Sequence, residues 1–207
     1  MPVRPLHHIT LNTLAFESLP LVKPTGFREY DARWWFGHAG SPVEPELNLP
    51  GVMAVGMGIA TLARRRNVPM EIVTGHDFRS YSCSIKMALI AGLMAGGMRV
   101  HDIGLALSPT AYFAQFALDC ACVAMVTASH NDNGWTGVKM GFERPVTFGP
   151  DEMSALKEIV LAGDFDQRLV GIAGIAFQRT LLLFQLVAGE VALGQRAAHV
   201  GLGGEAG

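Results

Sequence analysis

Between Glu71 and Val126 the chain repeats one arrangement: a short apolar run, a polar loop, then a stretch of helical period. Glu71-Ile72-Val73-Thr74-Gly75 precedes a helical pattern from about Ser80 to Gly97, and Met98 to Ile103 precedes another from Pro109 to Leu118. Ala121 to Val126 is a third apolar run, too short for a buried helix and read as a central strand with both faces covered. Strands alternating with helices imply an α/β layer fold.

Helices are also expected outside that core. Leu49-Pro50-Gly51 opens an apolar-periodic stretch that runs to Arg66 and closes on three arginines, and Asp151 to Leu161 follows Gly149-Pro150 with acidic residues in its first turn. Residues 1–26 hold Pro2, Pro5, Pro20 and Pro24 without a sustained period, as in a loosely ordered leader arm, so order is expected from Phe27. From Leu169 to Gly207 charges become sparse, Ala, Gly and Leu dominate, and the alternation stops. Apolar residues make up 50% of the chain and charged ones 16%, enough to bury a core. A formal charge of −2 gives no basic excess to neutralise phosphates, so nucleic acid is not an expected partner.

In open α/β sheets ligands bind beyond the carboxyl ends of the strands, which directs attention to the loops after Gly75, Gly104 and Val126. The third is the richest: Thr127-Ala128-Ser129-His130-Asn131-Asp132-Asn133-Gly134-Trp135-Thr136-Gly137-Val138-Lys139. A serine leaving a buried strand, beside a histidine and shortly before a lysine, supplies a nucleophile, an acid/base and a cation for an anionic substrate. The same residues also suit a polar turn built on Asn133-Gly134.

Thr127-Ala128-Ser129-His130-Asn131 resembles the active-site serine loop of the α-D-phosphohexomutases, the phosphomannomutase and phosphoglucomutase family, and three further segments agree in order. Phe27-Arg28-Glu29-Tyr30-Asp31-Ala32-Arg33 resembles that family's opening strand. Gly75-His76-Asp77-Phe78-Arg79 resembles its Gly-x-Asp-x-Arg segment. Val100-His101-Asp102-Ile103-Gly104 with Ser108-Pro109-Thr110 resembles its Val-x-Asp-Ile-Gly run before a Pro-Thr-Pro turn. Three positions depart from the pattern: Asp132 stands for a proline, Thr136 for the asparagine of Asn-Gly-x-Lys, and Trp34 for a glycine.

The resemblance covers Phe27 to about Leu161 and concerns the first of the family's four domains. It implies a three-layer α/β/α sandwich with a mostly parallel mixed sheet over 27–165, preceded by the arm 1–26 and followed by an atypical apolar tail 166–207. It further implies a phosphohexomutase that interconverts hexose 1-phosphate and 6-phosphate through a phosphoserine and a bisphosphorylated sugar. Ser129 becomes the phosphate carrier and, through its phosphate, a ligand of Mg²⁺. His130 and Lys139 become the proton-handling and phosphate-facing groups, with their individual roles open. Arg33 supplies charge near the serine, and Tyr30 and Asn131 fall to substrate binding. Asp77 and Arg79 read equally as an ion pair holding the loop and as substrate contacts.

The family's Asp-Gly-Asp-x-Asp-Arg metal loop lies in its second domain, and no such segment occurs in this sequence. The expectation is therefore a phosphoserine domain inactive alone, with a frameshifted or truncated tail, partnered by complementing domains or by itself through that tail. The alternative is a noncatalytic module that binds a phosphorylated ligand or a protein. The three cysteines, two of them in the apolar run as Cys120-x-Cys122, are too few for a disulfide framework and read as core thiols in a reducing cytoplasm. His7-His8 reads as a solvated pair. Gly92, Gly96 and Gly97 read as close packing and a helix stop. Gly171 to Gly194 is interrupted by Gln178, Arg179, Gln185 and Glu190, so no membrane span is expected.

Overall fold

The computed structural model describes residues 4–38 and 40–166; the expectations about the tail lie outside them. The expected strands and helices form with ends within a few residues of their reading: α2 Leu49–Arg65, β2 Glu71–His76, α3 Ser82–Ala95, β3 Arg99–Leu105, α4 Ser108–Ala117, β4 Cys122–Val126 and α5 Pro150–Ala162. Four further elements complete the domain: a short α1 Leu14–Ser18, a 3-10 turn Pro24–Gly26, β5 Trp135–Gly141, and the strand β1 Ala32–Trp35, which shares only Ala32 and Arg33 with the segment that resembles the family's opening strand.

The sheet order is β1-β5-β4-β2-β3. β2 pairs in parallel with both β3 and β4, while β5 runs antiparallel to β4 and to β1. The sheet is thus mixed, with parallel pairing confined to the β4-β2-β3 side. Side-chain alternation divides the core between its two faces. Ile72, Ala124, Val126, Val138 and Met140 pack toward α2, α3 and α5, and Val73, Val123 and Met125 pack toward Ala111 and Ala114 of α4. The three layers expected from the sequence are therefore present.

Helices α2 and α3 touch backbone to backbone. A Cβ on Gly92 would stand 2.1 Å from the carbonyl oxygen of Met53, and one on Gly56 would stand 2.5 Å from that of Leu89. Both glycines serve close approach, at the usual cost in helix propensity.

The segment before Phe27 corrects the expectation of a loosely ordered arm. Leu21 and Val22 are buried, and Leu6 bridges Leu21. Asn48, the buried N-cap of α2, explains the attachment. Its side-chain oxygen accepts from the N–H groups of Gly51 and Leu21, both at 2.8 Å, and its amide nitrogen donates to the carbonyls of Phe16 at 2.6 Å and Leu19 at 2.8 Å. One polar side chain thereby caps α2 and satisfies backbone groups at the end of α1 and in the extended stretch after it.

Candidate functional site

The serine loop leaves the carboxyl end of β4. Thr127 extends the β4–β5 ladder by donating its N–H to the carbonyl of Gly137 at 2.9 Å, and its hydroxyl accepts the N–H of Ser129 at 2.9 Å. Ser129 then turns into the left-handed region, with φ +55°. A residue other than glycine rarely adopts that conformation, and where it does the surroundings over-determine it. Ser129 and His130 are exposed, with Ser129 Oγ 3.5 Å from His130 Nδ1.

What holds the corner comes from the loop after β2. Arg79 is buried and its guanidinium reaches the carbonyls of Ser129, at 3.3 Å, and of Asn131. The same group pairs with the buried carboxylate of Asp77. Asp77 also accepts the Ser82 hydroxyl at 2.6 Å and the Arg79 N–H at 3.2 Å. Burial pushes the Asp77 carboxyl up. Hydrogen bonds from Ser82, Thr127 and the Arg79 backbone, with the Arg79 charge, outweigh it and hold the group below its ordinary range. Asp77 and Arg79 are therefore a loop-holding pair with both charges engaged from below.

A second cation approaches from β1. Arg33 is held by two hydrogen bonds to Asp31, at 2.7 and 2.9 Å, and donates to the Asn131 side chain at 2.5 Å. Arg33 thus ties β1 to Asn131, two residues past Ser129. Tyr30 is exposed in the turn before β1, and Lys139 is half-buried on β5, paired in register with Met125. Among the described residues no hydrogen bond or ion pair joins either of them to the Ser129 loop. Tyr81 belongs to the site although its sequence signal was only a helix start: its hydroxyl donates to the Trp135 carbonyl at 2.9 Å and accepts the Gly134 N–H at 2.8 Å, closing the far end of the loop.

The three departures from the family pattern have local explanations in two cases. Trp34 and Thr136 are cross-strand partners on β1 and β5, and both are buried. The Trp34 indole donates to the Lys23 carbonyl at 2.8 Å, packs edge-on against Phe27 at 5.1 Å, and occupies the space a Cβ on Gly26 would need. The large residue on one strand and the small one opposite share a single volume. Nothing in the structure explains Asp132.

The donor set does not by itself make a Mg²⁺ site. Mg²⁺ takes near-octahedral oxygen coordination. Around Ser129 the buried carboxylate of Asp77 is spent on Arg79 and Ser82, and Asp31 is spent on Arg33. No group of three His, Cys, Asp or Glu ligands gathers there among the described residues.

The α/β domain thus holds a serine on a left-handed corner at the carboxyl end of a parallel strand, with Arg79 on the Ser129 and Asn131 carbonyls and Arg33 on the Asn131 side chain. The family model for phosphoglucomutase/phosphomannomutase, alpha/beta/alpha domain I, matches residues 25–167, and the chain belongs to that family. It is 33% identical over 147 residues to a phosphomannomutase of Salmonella typhimurium, covering 70% of this chain and 30% of that protein. It is 36% identical over 137 residues to a protein named phosphohexose mutases of Xanthomonas campestris, covering 66% and 28%. It is 32% identical over 133 residues to a "Probable phosphoglucosamine mutase" of Pyrococcus horikoshii, covering 63% and 29%. A phosphoglucomutase/phosphomannomutase family protein from Burkholderia thailandensis superposes with a TM-score of 0.60 at 23% identity, covering 71% of this chain and 32% of that one, a likeness of fold. The chain spans less than a third of the length of these relatives. No helix among the described residues is long and apolar enough to cross a membrane.

Proposed function

We propose that this chain carries the phosphoserine of a phosphohexomutase, with Ser129 Oγ as the atom that takes and returns the phosphoryl group between hexose 1-phosphate and hexose 6-phosphate. The observation that carries the reading is the Ser129 corner: an exposed hydroxyl in a left-handed conformation, locked from below by buried Arg79. Phosphoryl transfer depends mainly on positioning and charge stabilisation, and a fixed hydroxyl meets the first demand. Arg33 meets part of the second, since its fork already points at Asn131 two residues from the serine.

When a sugar bisphosphate loads the serine, a P–O bond to the sugar breaks, a P–Oγ bond forms, the serine proton leaves, and the departing sugar oxygen takes up a proton to become a hydroxyl. His130 Nδ1, 3.5 Å from Oγ, is the nearby group able to receive it, and Lys139 is the second candidate for handling charge at the phosphate. Tyr30 and Asn131 are assigned to the sugar phosphate. Mg²⁺ belongs to this reading only with carboxylates from outside the described residues. The relatives are named for mannose, hexose and glucosamine phosphates, so the proposal stops at hexose phosphates as a class.

The test is phosphorylation of the full chain by a hexose bisphosphate carrying labelled phosphate, with Mg²⁺ added. It is run with and without the remaining length of the Salmonella relative supplied as a separate chain. Label mapped to Ser129 by peptide mass spectrometry in either arm, and absent from Ser129→Ala, is the expected result. No label in both arms, or equal label on Ser129→Ala, overturns the assignment.

A further inference from the structure

The amino-terminal end of the sheet, away from the serine loop, carries a cluster that the phosphoryl chemistry does not use. Glu71 begins β2, His101 is the third residue of β3, and Cys120 lies in the turn just before β4. Along β2 alone, Glu71 stands roughly 16 Å from the loop end of the strand. One ligand atom from each of the three residues lies within 4.8 Å of the others. His101 Nε2 is 3.2 Å from Glu71 Oε2, and the Cys120 thiol donates to the Cys122 carbonyl at 3.5 Å. Cys120 is fully buried, whereas the side chains of His101 and Glu71 are 20% and 33% exposed, so the cluster opens to water on one side.

We propose that Glu71, His101 and Cys120 form a Zn²⁺ site, with a water in the fourth position, that staples together β2, β3 and the turn before β4. The donor chemistry selects the metal. A thiolate, an imidazole and a carboxylate are the three ligand types that Zn²⁺ uses, whereas Mg²⁺ and Ca²⁺ require oxygen throughout. The separations are within reach of a shared ion. Ligand atoms bonded to Zn²⁺ at about 2.0–2.3 Å stand roughly 3.5 Å apart, so no edge of the trio, all within 4.8 Å, needs to contract by more than about 1.3 Å on binding.

Charge is balanced without help from solvent. Cys120 gives up its thiol proton to water, His101 binds as the neutral imidazole, and thiolate plus carboxylate offset the two charges of the ion. Without metal, burial and the Glu71 carboxylate both raise the Cys120 thiol. A divalent cation between thiolate and carboxylate reverses the second of these effects. The spacing of 30 and 19 residues between ligands has no sequence signature, and only the parallel pairing of β2 with β3 and β4 brings them together.

The experiment uses the full chain, stripped with chelator and dialysed, and titrated with Co²⁺ as a spectroscopic stand-in and then with Zn²⁺. The expected result is one Co²⁺ per chain with a thiolate-to-metal charge-transfer band, bleached by Zn²⁺. Zn²⁺ but not Mg²⁺ should raise Tm. Cys120→Ser should abolish the band while Cys83→Ser leaves it intact. Glu71→Gln and His101→Gln should each weaken binding by about tenfold or more. The last two sites are half-buried, so they carry the test if Cys120→Ser does not fold. Absence of the band in the parent chain, its survival in Cys120→Ser, or unchanged affinity in both Glu71→Gln and His101→Gln overturns the proposal. None of these readouts involves Ser129.

Discussion

The guanidinium of Arg79 donates to the main-chain carbonyl of Asn131, fifty-two residues further along the chain, while its other nitrogen pairs with Asp77. The loop after β2 is therefore the floor of the loop after β4. Removing Arg79 leaves Asp77 as a buried charge without its cation, a change that costs about 3–5 kcal/mol in comparable buried pairs. Arg79→Met should lower the urea midpoint accordingly, and Asp77→Asn combined with it should recover part of the loss. A loss of under about 1 kcal/mol in the single variant would show that the pair does not support the loop.

Gly92 offers a test in which helix propensity and packing have opposite signs. Alanine in a helix interior is ordinarily favoured over glycine by about 1 kcal/mol. Here its Cβ would collide with the Met53 carbonyl, which belongs to rigid helical backbone. Gly92→Ala should destabilise the domain, and thermal unfolding that shifts upward instead would refute the contact.

Asn48 ties residues 16–21 to the start of α2. Asn48→Ala removes a cap and leaves backbone groups of Leu21, Phe16 and Leu19 without that partner, at an expected cost of about 2–4 kcal/mol. Limited proteolysis should then cut between residues 10 and 20 faster than in the parent chain. An unchanged cleavage pattern would detach the segment from Asn48.

Acid should weaken the fold through two carboxylates. Burial pushes Asp102 up, but the Lys86 ammonium, the Gly104 N–H and the charge of His76 hold it below its ordinary value, as Ser82, Thr127 and Arg79 do for Asp77. Both groups bind protons more readily in the unfolded chain. Their stabilisation is thus complete above the ordinary value of 3.8 and is lost as pH falls below it toward the depressed folded values. Urea midpoints at about pH 7, 5 and 3 should show most of the loss in the last interval, and Asp77→Asn should flatten it.

Cysteine reactivity should divide the three thiols sharply. Cys83 is exposed, whereas burial pushes Cys122 up to about 12 and raises Cys120 as well. Iodoacetamide at mildly alkaline pH should modify Cys83 alone in the folded chain and all three after denaturation. Labelling of Cys120 or Cys122 in the native protein would contradict their burial.

The alternation of apolar runs and helical periods from Glu71 to Val126 is a local property, and it sufficed to place the strands and helices of the parallel side and to pick out the Ser129 loop. β5 has no such signal, because Trp135 to Gly141 begins inside a polar turn and carries Lys139 between Val138 and Met140, so its apolar positions are too few to set a period. Residues 1–26 depart from the expected loose arm because their prolines limit regular structure to short pieces without preventing packing, and the side chain that fixes them lies at Asn48.

The sequence by itself determined the layer architecture and the family resemblance, and it singled out Ser129 as the candidate for the proposed chemistry, because these rest on residue type and short spacing. The tertiary structure decided that Arg79 props the serine corner, that Trp34 and Thr136 share one space across β1 and β5, and that Glu71, His101 and Cys120 stand together. Each of these joins residues far apart in the chain, and their proximity follows from strand order and register, which set distances that no local pattern of residues encodes.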